Sequence, residues 1–161
     1  MKSYYLWLIA ALVTSCTSQK KNAAYITEAD NQALLLDTGV GVKKETIVSG
    51  ISSGGVDIPV SSVTVIFDPK RSEYVKIEKK MVADNAYNNQ FYYKNQKLIK
   101  ANIHIKNKPD TDYSAVYYLH RNKCIKKVDE NPERSDCNTI KSDSETALLD
   151  GLPLLPGNHT K

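Results

Sequence analysis

Phenylalanine, tryptophan and cysteine are scarce in this 161-residue chain, at two, one and three residues. Ten of its thirteen aromatic residues are tyrosine, a bias that fits half-buried strands better than a dense Phe/Trp core. Seven glycines and six prolines without periodicity exclude a collagen-like chain. The apolar run Leu6–Val13 has eight residues, too few to cross a bilayer as a helix, which takes about 20. C-x-x-C, a nucleophile elbow and a phosphate-binding P-loop are missing, and Gly54-Gly55 lacks both the Lys and the following helix of the last. His104, His120 and His159 have no ligand spacing, so neither a metal nor a cofactor is expected. With 41% hydrophobic and 25% charged residues, the composition fits one ordinary globular domain rather than a coiled coil or a disordered chain.

The amino terminus reads as an address. Lys2 supplies a positive start, Leu6–Val13 the apolar segment, and Thr14-Ser15 the small residues a processing enzyme can seat, so residues 1–15 read as a signal peptide. Val13-Thr14-Ser15-Cys16 resembles the bacterial lipobox of the signal peptidase II class. That resemblance implies a small envelope lipoprotein, with Cys16 diacylglycerated and becoming the first residue after cleavage. More than one acyl chain makes membrane residence effectively permanent, since each buried methylene contributes about 0.8 kcal/mol. In Gram-negative lipoproteins an Asp directly after the Cys retains the protein at the inner membrane. Thr17 therefore implies the outer membrane, and the lack of acidic residues before Glu28 a periplasm-facing position. Thr17 to Asn22 are polar and unpatterned, and residues 16–23 read as a flexible lipidated linker.

Charge is distributed unevenly. Residues 70–127 carry fourteen bases against five acids, and residues 128–150 two bases against seven acids. An exported basic segment interleaved with tyrosine points away from nucleic acid and towards an anionic envelope component or an envelope protein. The plainer reading is lysine lining solvated faces and strand edges. Cys124 and Cys137, in an oxidising compartment with twelve residues between them, are expected to form a disulfide that clamps the acidic stretch 129–133 against the last strand.

Three units at a spacing of roughly 25 residues dominate the middle of the chain, each reading strand, turn, strand. They are Val63–Phe67 with Tyr74–Glu78, Gln90–Tyr93 with Lys97–Lys100, and Val116–Leu119 with Lys123–Lys126. The second and third share a Tyr-Tyr, turn, Lys-apolar-Ile-Lys plan. This plan is similar to hairpins of small envelope lipoproteins, a likeness that carries no specific activity. Ahead of them Ile26, Ala29, Ala33 and Leu36 approximate a helical face, with Thr27 as N-cap and Gly39 as terminator, although Leu34–Leu36 equally reads as the start of a strand. The expectation is an α+β, mostly β fold: a short N-terminal helix against a curved antiparallel meander of repeated hairpins, filling residues 24–150. The helix should cover an apolar sheet face of Val65, Phe67, Ile99, Ile103 and Ile105 and leave a Lys/Tyr face open. Ser142–Leu149 reads as a last helical turn and residues 151–161 as a loose tail.

Two functional readings follow. The first is a non-enzymatic, membrane-anchored binding or envelope-structure module. Its contact surface would be Tyr92, Tyr93, Lys97, Lys100, Tyr117, Tyr118, Lys123 and Lys126, tyrosine giving rigid amphipathic area and lysine electrostatic steering. The alternative rests on Leu34–Leu36 followed by Asp37-Thr38-Gly39, which resembles the apolar-Asp-Thr-Gly loop of aspartic proteases, including the dimeric retropepsins. That resemblance implies two carboxylates sharing a proton, one Asp37 per subunit. Val40-Gly41 after the glycine and Asp150 within the later apolar-apolar-Gly element depart from the family pattern. The competing reading of Asp37 and Thr38 is a turn closed by hydrogen bonds to its own backbone.

Overall fold

A computed structural model describes residues 3–53, 56–81, 85–107, 111–129 and 136–154. Helix α1 spans Ser3–Asp37, and seven strands follow: β1 Lys43–Ser53, β2 Val56–Asp68, β3 Glu73–Met81, β4 Asn85–Lys94, β5 Lys97–Asn107, β6 Thr111–His120 and β7 Lys123–Asp129. Helix α2, Cys137–Gly151, and a 3-10 turn, Leu152–Leu154, complete it. The strands pair antiparallel in sequence order as one open sheet. The fold is α+β and mostly β.

Turn chemistry fixes the three expected hairpins. Asn95 and Gln96 have φ of 50° and 59°, and Arg121 and Asn122 52° and 62°. Two successive left-handed residues are what the two-residue type I′ hairpin requires. The β2–β3 connection is longer. There the Asp68 carboxylate accepts from the Lys70 amide, the Asp68 carbonyl accepts from the Ser72 amide, and Ser72 takes φ of 55°.

Each hairpin carries a register shift beside its turn, at Ile66/Phe67, Tyr92/Tyr93 and Tyr118/Leu119. The extra residue on the second strand is Val75, Ile99 or Ile125. A bulge puts two consecutive residues on one side of the sheet. Ile99 thereby leaves the face of Leu98, Ala101 and Ile103 and joins the opposite cluster. The expected single apolar face is corrected accordingly: Val65, Phe67 and Ile103 belong to one core, with Ile105 against it, and Ile99 to another.

Each sheet face carries one helix. On one, Ile140 and Ala147 of α2 close the larger core over Val65, Ile77, Phe91 and Tyr117. Asp136 caps α2 by accepting from the Asn138 and Thr139 amides at 2.9 and 2.7 Å. Gly151, expected to open the loose tail, is instead the buried last residue of α2. A Cβ there would lie 2.7 Å from a Val65 methyl, so only glycine lets the helix end settle on β2. Residues 155–161 of the expected tail lie outside the described residues, as do 130–133 of the acidic stretch.

On the other face α1 packs through Ala29 and Ala33 against Tyr92, Ile99 and Tyr118, with Ile26 and Leu36 beside them. Its polar half is the side the sheet was expected to leave open. Thr27 does not begin the helix; its hydroxyl donates to the Ala23 carbonyl within it. Residues 3–24 contain neither glycine nor proline, so nothing local stops the helix, and the stretch from Thr17 to Asn22, expected as a flexible linker, is helical. The helix ends where expected: Gly39 takes φ of 72° and donates to the Leu36 carbonyl, and Leu34 and Leu35 are exposed helical residues.

Candidate functional site

Chemistry-bearing side chains concentrate where α1 crosses the sheet. Tyr25 donates to the Leu119 carbonyl at 2.8 Å and stacks on His120, Gln32 donates to the Tyr93 carbonyl, and Asp37 reaches Lys76. The helix thus passes from β6 to β3 over the hairpin tips. Beneath it cross-strand partners alternate in one row, Lys76, Tyr92, Lys100, Tyr118 and Lys126.

Two acids of α1 engage that row in the same way. Asp37 accepts from Lys76 Nζ at 2.6 Å and from the Tyr92 hydroxyl at 3.2 Å. Asp30 accepts from Lys100 Nζ at 2.7 Å and from the Tyr118 hydroxyl at 2.9 Å. The spacings explain the match. Seven helical residues rise about 10.5 Å and two strand intervals measure about 9.5 Å. The internal repeat of the sheet therefore meets a two-turn repeat of the helix. Lys76, Lys100 and Lys126 are equivalent positions in the three hairpins, each following the bulged residue.

Lys76 is the most buried of these cations, its side chain 4% exposed. It also pairs with Glu78 at 2.6 Å. Burial works to lower the Lys76 pKa, but the hydrogen bonds to Asp37 and Glu78 outweigh it, and the group stays protonated above its usual range. Burial likewise works to raise the Glu78 carboxyl, and Lys76, helped by Lys80 and Lys44, overcomes it and holds the group below the usual carboxylate range. Tyr92 is pushed up to about 12, mainly by burial, with the Asp37 charge adding to it and Lys76 opposing. Tyr118 also rises to about 12, through burial and its bond to Asp30. A raised lysine and phenols that stay neutral make an ion-pair latch; they do not make a nucleophile or a general base.

The expected contact surface is corrected by the packing. Tyr92, Tyr93, Tyr117 and Tyr118 are at most 7% exposed and belong to the cores, because the bulges and the two helices enclose both faces. Tyr93 donates to the Ser144 carbonyl of α2 and Tyr117 bonds the Tyr113 hydroxyl. Lys100 is occupied by Asp30. Lys97, Lys123 and Lys126 remain exposed. The plainer reading, lysine on solvated edges, describes these three.

Asp37-Thr38-Gly39 is a helix C-terminus rather than a loop between strands. The Asp37 carboxylate is taken by Lys76 and Tyr92, and Thr38 Oγ1 donates to the Leu35 carbonyl. With its carboxylate bonded to Lys76 and Tyr92 at the end of a helix, Asp37 is not placed as in a paired-aspartate loop, and the geometry gives the protease reading no support. The backbone-bonded turn expected instead is present at Thr38, while Asp37 bonds side chains.

Cys124 and Cys137 are joined, tying β7 to the start of α2, with Cα atoms 6.0 Å apart. Cys16 lies within α1, and its side chain is outside the described ones. His104 is exposed and shares a hydrogen bond with Ser114. Among the described residues no group of three His, Cys, Asp or Glu side chains could hold a metal ion. No helix among them is long and apolar enough to cross a membrane. A cleft of about 300 Å³ opens between α2 and the hairpin tips, lined by Tyr74, Gln96, Lys97, Lys141 and Glu145 among others.

The Lys76 latch was missed in the sequence because Lys76 and Glu78 alternate with Val75 and Ile77 and so read as a solvated strand face. Asp30 and Asp37, seven apart on the helical face of Ala29 and Ala33, were the available signal. Compared with known protein families, curated proteins and solved structures, the chain matches none.

Proposed function

We propose that this chain is a non-enzymatic, lipid-anchored lipoprotein of the bacterial envelope, held on the outer membrane through Cys16 and facing the periplasm. In this reading it displays a hairpin sheet as a binding or envelope-structure module. The observation that carries the proposal is the continuity of α1. The helix that contains the lipobox-like Val13-Thr14-Ser15-Cys16 is the one that Asp30 and Asp37 fasten across the sheet. An anchor on Cys16 would then hold the domain at a set distance and angle, where a slack tether would leave it free to tumble. The titratable groups gathered under the helix are spent on that fastening, which favours binding over catalysis. Of the expected Lys/Tyr surface only the basic part carries over: the tyrosines hold the fold, and exposed lysines at the tips and edge would meet an anionic envelope component.

Mass spectrometry of protein taken from a bacterial envelope tests this directly. The expected N-terminal peptide starts at Cys16 and carries a diacylglyceryl thioether, and Cys16→Ala releases the protein from sedimenting membranes. A mature chain with a free Cys16 thiol would remove the anchor and with it the compartment.

A further inference from the structure

The row of equivalent lysines is left incomplete at one edge of the sheet. Lys76 has Asp37 above it and Lys100 has Asp30, seven residues earlier on the helix. Seven residues earlier again, where Lys126 on β7 would find its acid, α1 carries Ala23. Lys126 is exposed, and no carboxylate among the described residues pairs with it. Among the described residues no strand follows to supply the tyrosine of a third site, because β7 is the edge of the sheet.

More positive charge collects at the same place. Tyr25 fixes the helix over His120, so Lys21, one turn earlier on the same helix face, follows at the β7 side, with Lys20 beside it. Lys123 pairs with His120 across the hairpin and lies on this side of the sheet, and Arg121 forms the tip. Lys20, Lys21, Arg121, Lys123 and Lys126 are all exposed. Among the described residues, the acids of this edge fall on the other side. Asp129 bonds Tyr113 and Lys127 on the α2 face, and Asp136 caps α2. Like charges gathered without counter-charge repel one another, and an external anion relieves them.

We infer that the α1 side of the β7 edge is the membrane-facing surface of the protein and takes the phosphates of anionic phospholipids. Lys126 there receives a lipid phosphate in place of the carboxylate that Lys76 and Lys100 receive from the helix. This rests on the anchor at Cys16, which is one helical turn before Lys20 and about 14 Å of helix before Tyr25. An anchor so placed brings this edge to the headgroup layer first, within the roughly 10 Å over which its charges act.

Amine footprinting of the lipidated, full-length product tests the inference. The protein is reconstituted in vesicles of phosphatidylcholine alone or with phosphatidylglycerol added, acetylated briefly, and read by peptide mass spectrometry. Lys20, Lys21, Lys123 and Lys126 should react several-fold more slowly on the anionic vesicles, consistent with roughly fivefold in affinity per neutralised charge. Lys70 and Lys80, exposed away from this edge, should react equally on both. High salt should remove the difference. Ala23→Asp supplies the missing carboxylate at an exposed position and should weaken the protection of Lys123 several-fold by cancelling one charge of the patch, and Lys123→Glu/Lys126→Glu should abolish that of Lys20 and Lys21.

Acylated protein whose four lysines react equally on both vesicles overturns the inference and leaves the anchor standing. Protection that requires an envelope extract and is absent with phosphatidylglycerol overturns the phospholipid assignment. A product without acyl mass on Cys16 overturns the anchor, and this inference falls with it.

Discussion

Replacing Lys76 with Met is the sharpest probe of how the helix is held. The side chain is 4% exposed and serves Glu78, itself 11% exposed, and Asp37, which is 44% exposed. Removing one partner of a fully buried pair costs about 3–5 kcal/mol, because the remaining charge cannot recover its water. Asp37 can rehydrate in place, but Glu78 cannot. Glu78 keeps a 3.4 Å bond from Gln90, the Lys80 ammonium at 3.7 Å and the charge of Lys44. The expected loss for Lys76→Met is therefore about 2–3 kcal/mol. With a urea slope of about 1–3 kcal/mol per molar, the midpoint should fall by roughly 1–2 M. The far-ultraviolet circular dichroism of the sheet is the signal of choice, since the chain's one tryptophan, Trp7, lies in the expected leader. Adding Glu78→Gln removes the stranded charge, so the double variant should regain about 1–2 kcal/mol over Lys76→Met. A single variant within about 0.5 kcal/mol of the parent would show that Lys76 is not a buried, paired charge, and the latch would have to be abandoned.

Three further outcomes follow from the same contacts. Replacing Cys124 and Cys137 with Ser should lower stability by about 3 kcal/mol, since the bond closes a loop of sequence separation 13; the melting temperature reads it, and denatured oxidised protein should show no thiol at either position. Gly151→Ala should destabilise by about 1–3 kcal/mol, as its Cβ would meet the fully buried Val65 at 2.7 Å, while Gly41→Ala, with open space around it, should lose less and for conformational reasons alone. Stability should fall at both ends of the pH scale. Glu78, held below its unfolded value, contributes stability that is present above the ordinary carboxylate range and lost as pH drops through its folded value. Tyr92 and Tyr118, raised from 10.0 to about 12, and the raised Lys76 contribute stability that is present below pH 10 and lost as pH rises through their folded values. Urea midpoints across pH, with phenolate absorbance on the alkaline side, check both directions. A midpoint flat between pH 9 and 12 would contradict the burial of these phenols.

Local chemistry made much of this fold legible in the sequence. Strand alternation, the turn residues at Asn95-Gln96 and Arg121-Asn122, the face of Ala29 and Ala33 and the stop at Gly39 each depend on a few neighbouring residues, and they appear where expected. The pairing of Cys124 with Cys137 follows from elimination once Cys16 is set aside. What the sequence left undecided was which way each side chain faces after a bulge. A bulge changes no residue type and leaves the pattern readable, yet it moves Ile99 to the opposite side, beside Lys100 and under the helix. Coverage was likewise decided by tertiary structure. Whether a Lys/Tyr face meets water or a helix depends on where α1 and α2 cross the sheet, and α1 crosses on the polar side because its two acids, seven residues apart, match lysines two strands apart. That match belongs to no segment by itself. It exists only when the rise of a helix is laid across the spacing of a sheet, and for that reason the tyrosines read from sequence as a contact surface are core, while Lys126, indistinguishable from its repeat partners in sequence, has no carboxylate partner among the described residues at the edge.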